Sequence, residues 1–160
     1  MSQAFNTFRA NLPPPAECLA ILVGCMELTV FGLGGLANPL EFSKGFGVPM
    51  TSSHTARISA TPESDKAETK AEKTQQAYIA AIAARNLQNG ILILTLGCYV
   101  KDRRALGVAV ACGLVATISD ALIVRYYGAK EAIWGHLFGV FNSAAIGGSL
   151  LYWGRTDPLW

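Results

Sequence analysis

Charge is scarce in this chain. Only 15% of its 160 residues are Asp, Glu, Lys or Arg, and the formal net charge is +2. No basic stripe with interleaved aromatics occurs, so the sequence gives no footing for a nucleic-acid partner. The four cysteines, Cys18, Cys25, Cys98 and Cys112, all lie in apolar segments and form no C-x-x-C. That argues against a disulfide framework or a zinc site, and such residues behave as small hydrophobes. There is no glycine-rich nucleotide loop, no H-x-x-x-H pair and no Ser nucleophile motif. No cofactor is therefore expected. One His and one or two carboxylates could bind a metal, but nothing in the spacing requires one.

Apolar residues fill the space that charge leaves. They make up 51% of the chain, and mean hydropathy is positive. A bilayer crossing needs about 20 mostly apolar residues. Four stretches qualify, at about 18–37, 78–100, 105–125 and 132–153, separated by a long polar loop at about 41–76 and by two tight turns. The expected fold is all-α, an integral membrane antiparallel four-helix bundle occupying 1–160 as one domain. Periodicity alone does not separate a span from a buried helix, and the rival is a soluble all-α bundle. The first run, preceded by Pro13-Pro14-Pro15, reads as a retained span rather than a cleaved leader.

Aromatic residues mark both ends of the runs. Tyr78, Tyr126, Tyr127 and Trp134 lie near one set of ends, and Tyr99, Tyr152 and Trp153 near the other, as membrane interface belts do. Small residues stand where helices must approach closely: Gly32, Gly34 and Gly35 in the first span, Gly135-x-x-x-Gly139 and Gly147-Gly148 in the fourth. They also leave a homodimer open. In the loop, Thr61-Pro62 predicts a helix start, with Thr61 as N-cap and Pro62 at the first helical position. The loop is either a linker with a helical end or a lid over a site. The side that carries both termini and the turn Lys101-Asp102-Arg103-Arg104 is denoted side A, and the opposite one side B. The density of basic residues in that turn places side A, and so both termini, in the cytosol. The membrane is expected to be the endoplasmic reticulum or another endomembrane.

Ionisable and amide residues inside these spans are the informative exceptions. A charge in hydrocarbon costs about 2.5–3.5 kcal/mol on insertion scales, so such residues face a bundle interior or a wet cavity. Depth follows from helical rise, ~1.5 Å per residue. Asp120 lies eight residues before Gly128 and His136 eight after it, which puts both at one depth in an antiparallel hairpin. By the same reckoning Glu27, Arg85, Asn86, Asn89, Asp120 and His136 all fall in the side-B half, and Asn142 extends the lining.

Each of these residues has a structural and a chemical reading. Arg85 can snorkel to the interface. Asp120 and His136 can be a satisfied pair locking the hairpin, and the asparagines can be interhelical glue. Glu27, nearer mid-membrane, must be protonated, paired with Arg85 or hydrated. Read together, Asp120 and His136 form a proton-accepting dyad. Glu27 is a proton donor, and Arg85 with Asn86, Asn89 and Asn142 holds the substrate's oxygen functions. That kit suits isomerisation, cyclisation, epimerisation or dehydration of a hydrophobic small molecule. The alternatives are a small membrane transporter, for which four spans would need a dimer, and a non-catalytic scaffold subunit.

Four motifs add a resemblance. They are Gly47-Val48-Pro49 after the first span, Arg85-Asn86 with Gly90 in the second, Asp120-Ala121-Leu122-Ile123-Val124 in the third, and His136 early in the fourth. Through them the chain resembles a family of small four-span membrane proteins of filamentous fungi, domain of unknown function 4267, similar to DoxX-like bundles. Genes of that family in secondary-metabolite clusters imply a tailoring enzyme acting on a polyketide or terpenoid intermediate. The resemblance implies no particular reaction. Family members often carry an acidic residue where this chain has Asn86, and Glu27 rests on this sequence alone.

Overall fold

The computed structural model describes residues 15–50 and 62–152, and side chains from 70 onward in the second stretch. Among the described residues every regular element is helical. Helix α1 spans Pro15–Ala37 and widens into a π-helical segment over Glu27–Leu33. A short helix α2 follows at Pro39–Phe46. Helix α3 covers Pro62–Leu94 and continues as a second π-helical segment, Thr95–Val100. Helix α4 is Arg103–Tyr127 and α5 is Ile133–Tyr152, joined through a 3-10 turn at Lys130–Ala132.

Local chemistry sets these boundaries. Pro39 disfavours helical backbone at the residue before it, so α1 stops and Asn38 leaves the helical region at φ −138°, ψ 77°. The Asn38 side chain then accepts a bond from Glu41 N–H at 3.3 Å, with Pro39 in the first turn of α2. Gly47 closes α2 in the left-handed conformation, φ 93°. Asp102 caps α4 by accepting from Ala105 N–H at 3.0 Å. Helix α3 begins at Pro62 as its composition predicts. The expected cap Thr61, the Ser/Thr-rich part of the loop and the end of the fourth apolar run at Trp153 lie outside the described residues.

The first part of the loop differs from expectation. Residues expected to open a polar loop at about 41 form most of helix α2 instead, because Asn38-Pro39-Leu40-Glu41 starts a helix and Gly47 ends it.

Two antiparallel helix pairs make the body. Along α1 and α3, Gly24 meets Ile93, Gly90 lies against the backbone of Leu28, Gly32 against Leu87, and Gly35 against Ala83. Along α4 and α5, Gly107 meets Leu150 and Leu151, Gly147 lies against Ala111, and Gly139 against Thr117. The partner numbers fall on one helix as they rise on the other in both pairs. A buried cluster of Ala20, Ile93, Leu106, Val110, Ile146 and Leu150 then joins the two pairs.

The outward face is apolar. Val115 is 70% exposed, and Leu22, Ile91, Phe138 and Phe141 on the other helices are exposed as well. An apolar exterior of this extent is expected in hydrocarbon rather than in water. Among the described residues, three helices are long and apolar enough to cross a bilayer: Pro15–Ala37, Lys70–Val100 and Arg103–Tyr127. These suit an integral membrane protein. Helix α5 has 20 residues and is not among those three.

Candidate functional site

Ion pairs near the two ends, Arg85–Asp120 and Glu17–Arg103, tie the two helix pairs together. Toward α2, Arg85 on α3 grips Asp120 on α4 with both terminal nitrogens. Nη1 donates to Oδ1 at 3.0 Å, and Nη2 donates to Oδ2 at 2.6 Å. Nη2 also donates to Asn86 Oδ1 at 3.2 Å. The flat guanidinium matches a carboxylate with two parallel bonds, the strongest neutralisation that a buried acid obtains from one side chain. Asp120 is buried, whereas the Arg85 side chain is 34% exposed.

This geometry corrects the expected Asp120–His136 dyad. His136 turns to α2, where its Nε2 lies 2.8 Å from the Phe46 carbonyl and its ring meets the Phe46 ring edge-on at 4.8 Å. A carbonyl only accepts, so Nε2 carries the proton, and in the neutral ring Nδ1 is left as the acceptor. Asp120 prefers a permanent cation to a neutral imidazole, and the folding of α2 over the bundle gives His136 a different partner. The snorkelling reading of Arg85 fails for the same reason.

A cavity of about 540 Å³ lies beneath α2, bounded by α1, α2, α4 and α5 with Asn86 contributed by α3. Its walls are largely apolar, with Val30, Phe31, Phe42 and Phe46 prominent. Four residues singled out in the sequence reach it: Glu27, Asn86, Asp120 and His136. A second hollow of about 50 Å³ adjoins it, with Arg85, Asn89 and Ser143 in its wall. Glu27, Asn86, Thr117 and Asp120 line both. Asn142 lines neither; its amide donates to the Phe138 carbonyl one turn back at 3.0 Å.

Glu27 stands apart from the other acids. It opens the π-helical segment of α1, a distortion frequent at functional sites. Its Oε2 is buried without a hydrogen-bond partner in the protein, and it lies within electrostatic reach of Arg85 and Asp120. Those two neutralise each other, so Glu27 is the cavity-lining carboxyl that has no countercharge of its own. Arg85 Nε is likewise buried and without a protein partner. No group of three or more His, Cys, Asp or Glu side chains is arranged to hold a metal ion among the described residues.

Two features escape the sequence reading. One is the contribution of α2, through Asn38, Glu41, Phe42 and Phe46; the Asn-x-x-Glu capping pattern before Gly47 was the available signal. The other is the ion pair at the opposite end of the bundle. Arg103 Nε lies 3.0 Å from Glu17 Oε1, both side chains being buried, and Arg103 Nη2 donates to the Ser149 carbonyl at 3.1 Å. Arg103 therefore spends its charge inside the bundle and drops out of the basic residues that argue for a cytosolic side A.

A helical membrane-type bundle with a polar-floored apolar cavity is thus the class to which the chain conforms. Its sequence matches the family model described as Domain of unknown function (DUF4267) over residues 25–150, and the chain belongs to that family. The matched region contains every candidate site residue named above. No curated protein and no solved structure matches the chain significantly.

Proposed function

We propose that this protein is a membrane-embedded enzyme that performs acid–base chemistry on a hydrophobic small molecule without a cofactor. One observation carries the reading: Glu27, whose carboxyl is buried and unpartnered at Oε2, lines an apolar cavity of about 540 Å³, within the range of roughly 300–1,000 Å³ typical of small-molecule sites. Glu27 takes and returns the proton. The Arg85–Asp120 pair fixes the electrostatics beside it, and Asn86 and His136 hold the substrate's oxygen functions from two sides of the cavity. Asn89 acts from the adjoining hollow, and Asn142 packs α5.

The substrate class, a polyketide or terpenoid intermediate of secondary metabolism, follows from the resemblance of the sequence motifs. In this reading α5 is a fourth span, completing an antiparallel four-span bundle in an endomembrane, the termini are cytosolic, and α2 lies at the opposite interface as a cap over the cavity.

The test is metabolite profiling by mass spectrometry in a strain lacking this chain, re-supplied with wild type or Glu27→Gln. One intermediate accumulates in the deletion strain, wild type clears it, and Glu27→Gln, present in membranes at wild-type level, does not. Full clearance by Glu27→Gln removes Glu27 from the chemistry. An unchanged profile in the deletion strain leaves a transporter or scaffold as the better account.

A further inference from the structure

The two adjoining hollows differ in what they can hold. The larger one is walled by aromatic and aliphatic side chains. The smaller, at about 50 Å³, brings Arg85, Asn89, Thr117, Ser143, Asp120 and Glu27 around one small space. A water needs about 10–15 Å³ of such volume and two to four polar partners, so there is room for a few waters and no room for a lipophile. The Asn89 amide and the Ser143 hydroxyl in its wall are partners of the kind a confined water needs. Glu27 therefore stands between an apolar substrate chamber and a small polar chamber fit for water, at a depth where the surroundings are hydrocarbon.

We infer that the reaction of this site transfers water: the substrate in the larger cavity loses or gains one molecule of water, and the smaller hollow receives or supplies it. The inference rests on the enzymatic reading above and narrows it from acid–base chemistry in general to hydration–dehydration. The single carboxylate is sufficient for the step. In the direction of water loss, Glu27 removes a proton from the carbon next to a carbonyl, and the Asn86 amide, its Oδ1 held by Arg85, donates to the charge developing on that oxygen. The electron pair forms the carbon–carbon double bond, and the neighbouring carbon–oxygen bond breaks. The departing hydroxide takes the proton from Glu27 and leaves as water. Glu27 ends as it began, and no oxidant or reductant is consumed. Water addition is the same sequence reversed.

The mass of the product decides between this and the rival chemistries. Membranes containing the full chain are incubated with the intermediate that accumulates in the deletion strain, and substrate and product are compared by high-resolution mass spectrometry. A difference of one water is expected. An isobaric product means isomerisation, cyclisation or epimerisation and overturns the inference while leaving the enzymatic reading intact. Absence of any accumulating intermediate overturns both. A second variant tests the hollow itself. Ser143 lines the small hollow and not the large one. Ser143→Leu fills the water space from a residue that does not line the substrate cavity. The expected result is a fall in kcat of at least about tenfold with KM and membrane abundance unchanged. An unaltered kcat overturns the assignment of the hollow to water.

Discussion

At the scale of single residues, the Arg85–Asp120 pair is the best-defined feature of the site. Its partners come from different helices and are oriented by two short bonds. Removing one member of a fully buried pair costs about 3–5 kcal/mol, whereas replacing both by apolar groups of similar volume is often neutral. Because Arg85 is one-third exposed, Asp120→Ala is expected to destabilise the detergent-solubilised protein by less, about 1–3 kcal/mol. The double variant Arg85→Met with Asp120→Leu is expected to recover most of that. Denaturation curves of the three proteins check it, and a double variant no more stable than Asp120→Ala would mean that the pair does more than neutralise itself. The six polar residues were legible in the sequence as a cluster, because helical rise alone fixes depth. Their pairing was not legible. Depth places Asp120 level with both Arg85 and His136, and only the arrival of α2 at His136 breaks the tie in favour of Arg85.

At the scale of elements, α2 is the piece that turns a bundle end into a cavity. It is anchored at its C-terminus by Gly47, whose carbonyl accepts from Ala129 N–H at 2.8 Å. A methyl group at Gly47 would run into Ala132 and stands at a backbone φ of 93° that other residues rarely adopt. Gly47→Ala is expected to cost about 1–3 kcal/mol through that strained backbone conformation, and more through the collision. Gly45→Ala, on the same helix with open space around it, is expected to stabilise by roughly 0.5–1 kcal/mol, since glycine is unfavourable inside a helix. Thermal melts of the two variants should move in opposite directions; a common shift would show that α2 is not fixed to the α4–α5 turn. The Gly47-Val48-Pro49 motif was visible in the sequence, yet its role as a clamp depends on a turn more than 80 residues away and could not be read from local composition.

At the scale of the whole molecule, the outside is more apolar than a soluble protein tolerates, and the cysteines offer a check. Cys25 and Cys112 lie well inside α1 and α4 and are exposed on the fold, so lipid is what covers them. In sealed membranes both are expected to react with a lipid-soluble maleimide and to resist a charged, membrane-impermeant one. Equal labelling by the charged reagent would contradict the membrane reading. Under the same scheme the two buried ion pairs, Arg85–Asp120 and Glu17–Arg103, are the stitches between the helix pairs, one at each end of the shared apolar core.

The sequence by itself determined the helical class, the apolar spans and the common depth of the polar residues, because each depends only on residue type and a fixed rise per residue. The tertiary structure alone decided which polar groups meet. Glu17 with Arg103, Arg85 with Asp120, and His136 with the Phe46 carbonyl each depend on how helices rotate about their axes and on where a short helix folds back. Those choices are made by close glycine contacts such as Gly90 on Leu28 and Gly32 on Leu87, which are short-range steric events between distant parts of the chain. From the same source comes the isolation of Glu27: once Arg85 is committed to Asp120, the Glu27 carboxyl is left beside the cavity without a countercharge of its own.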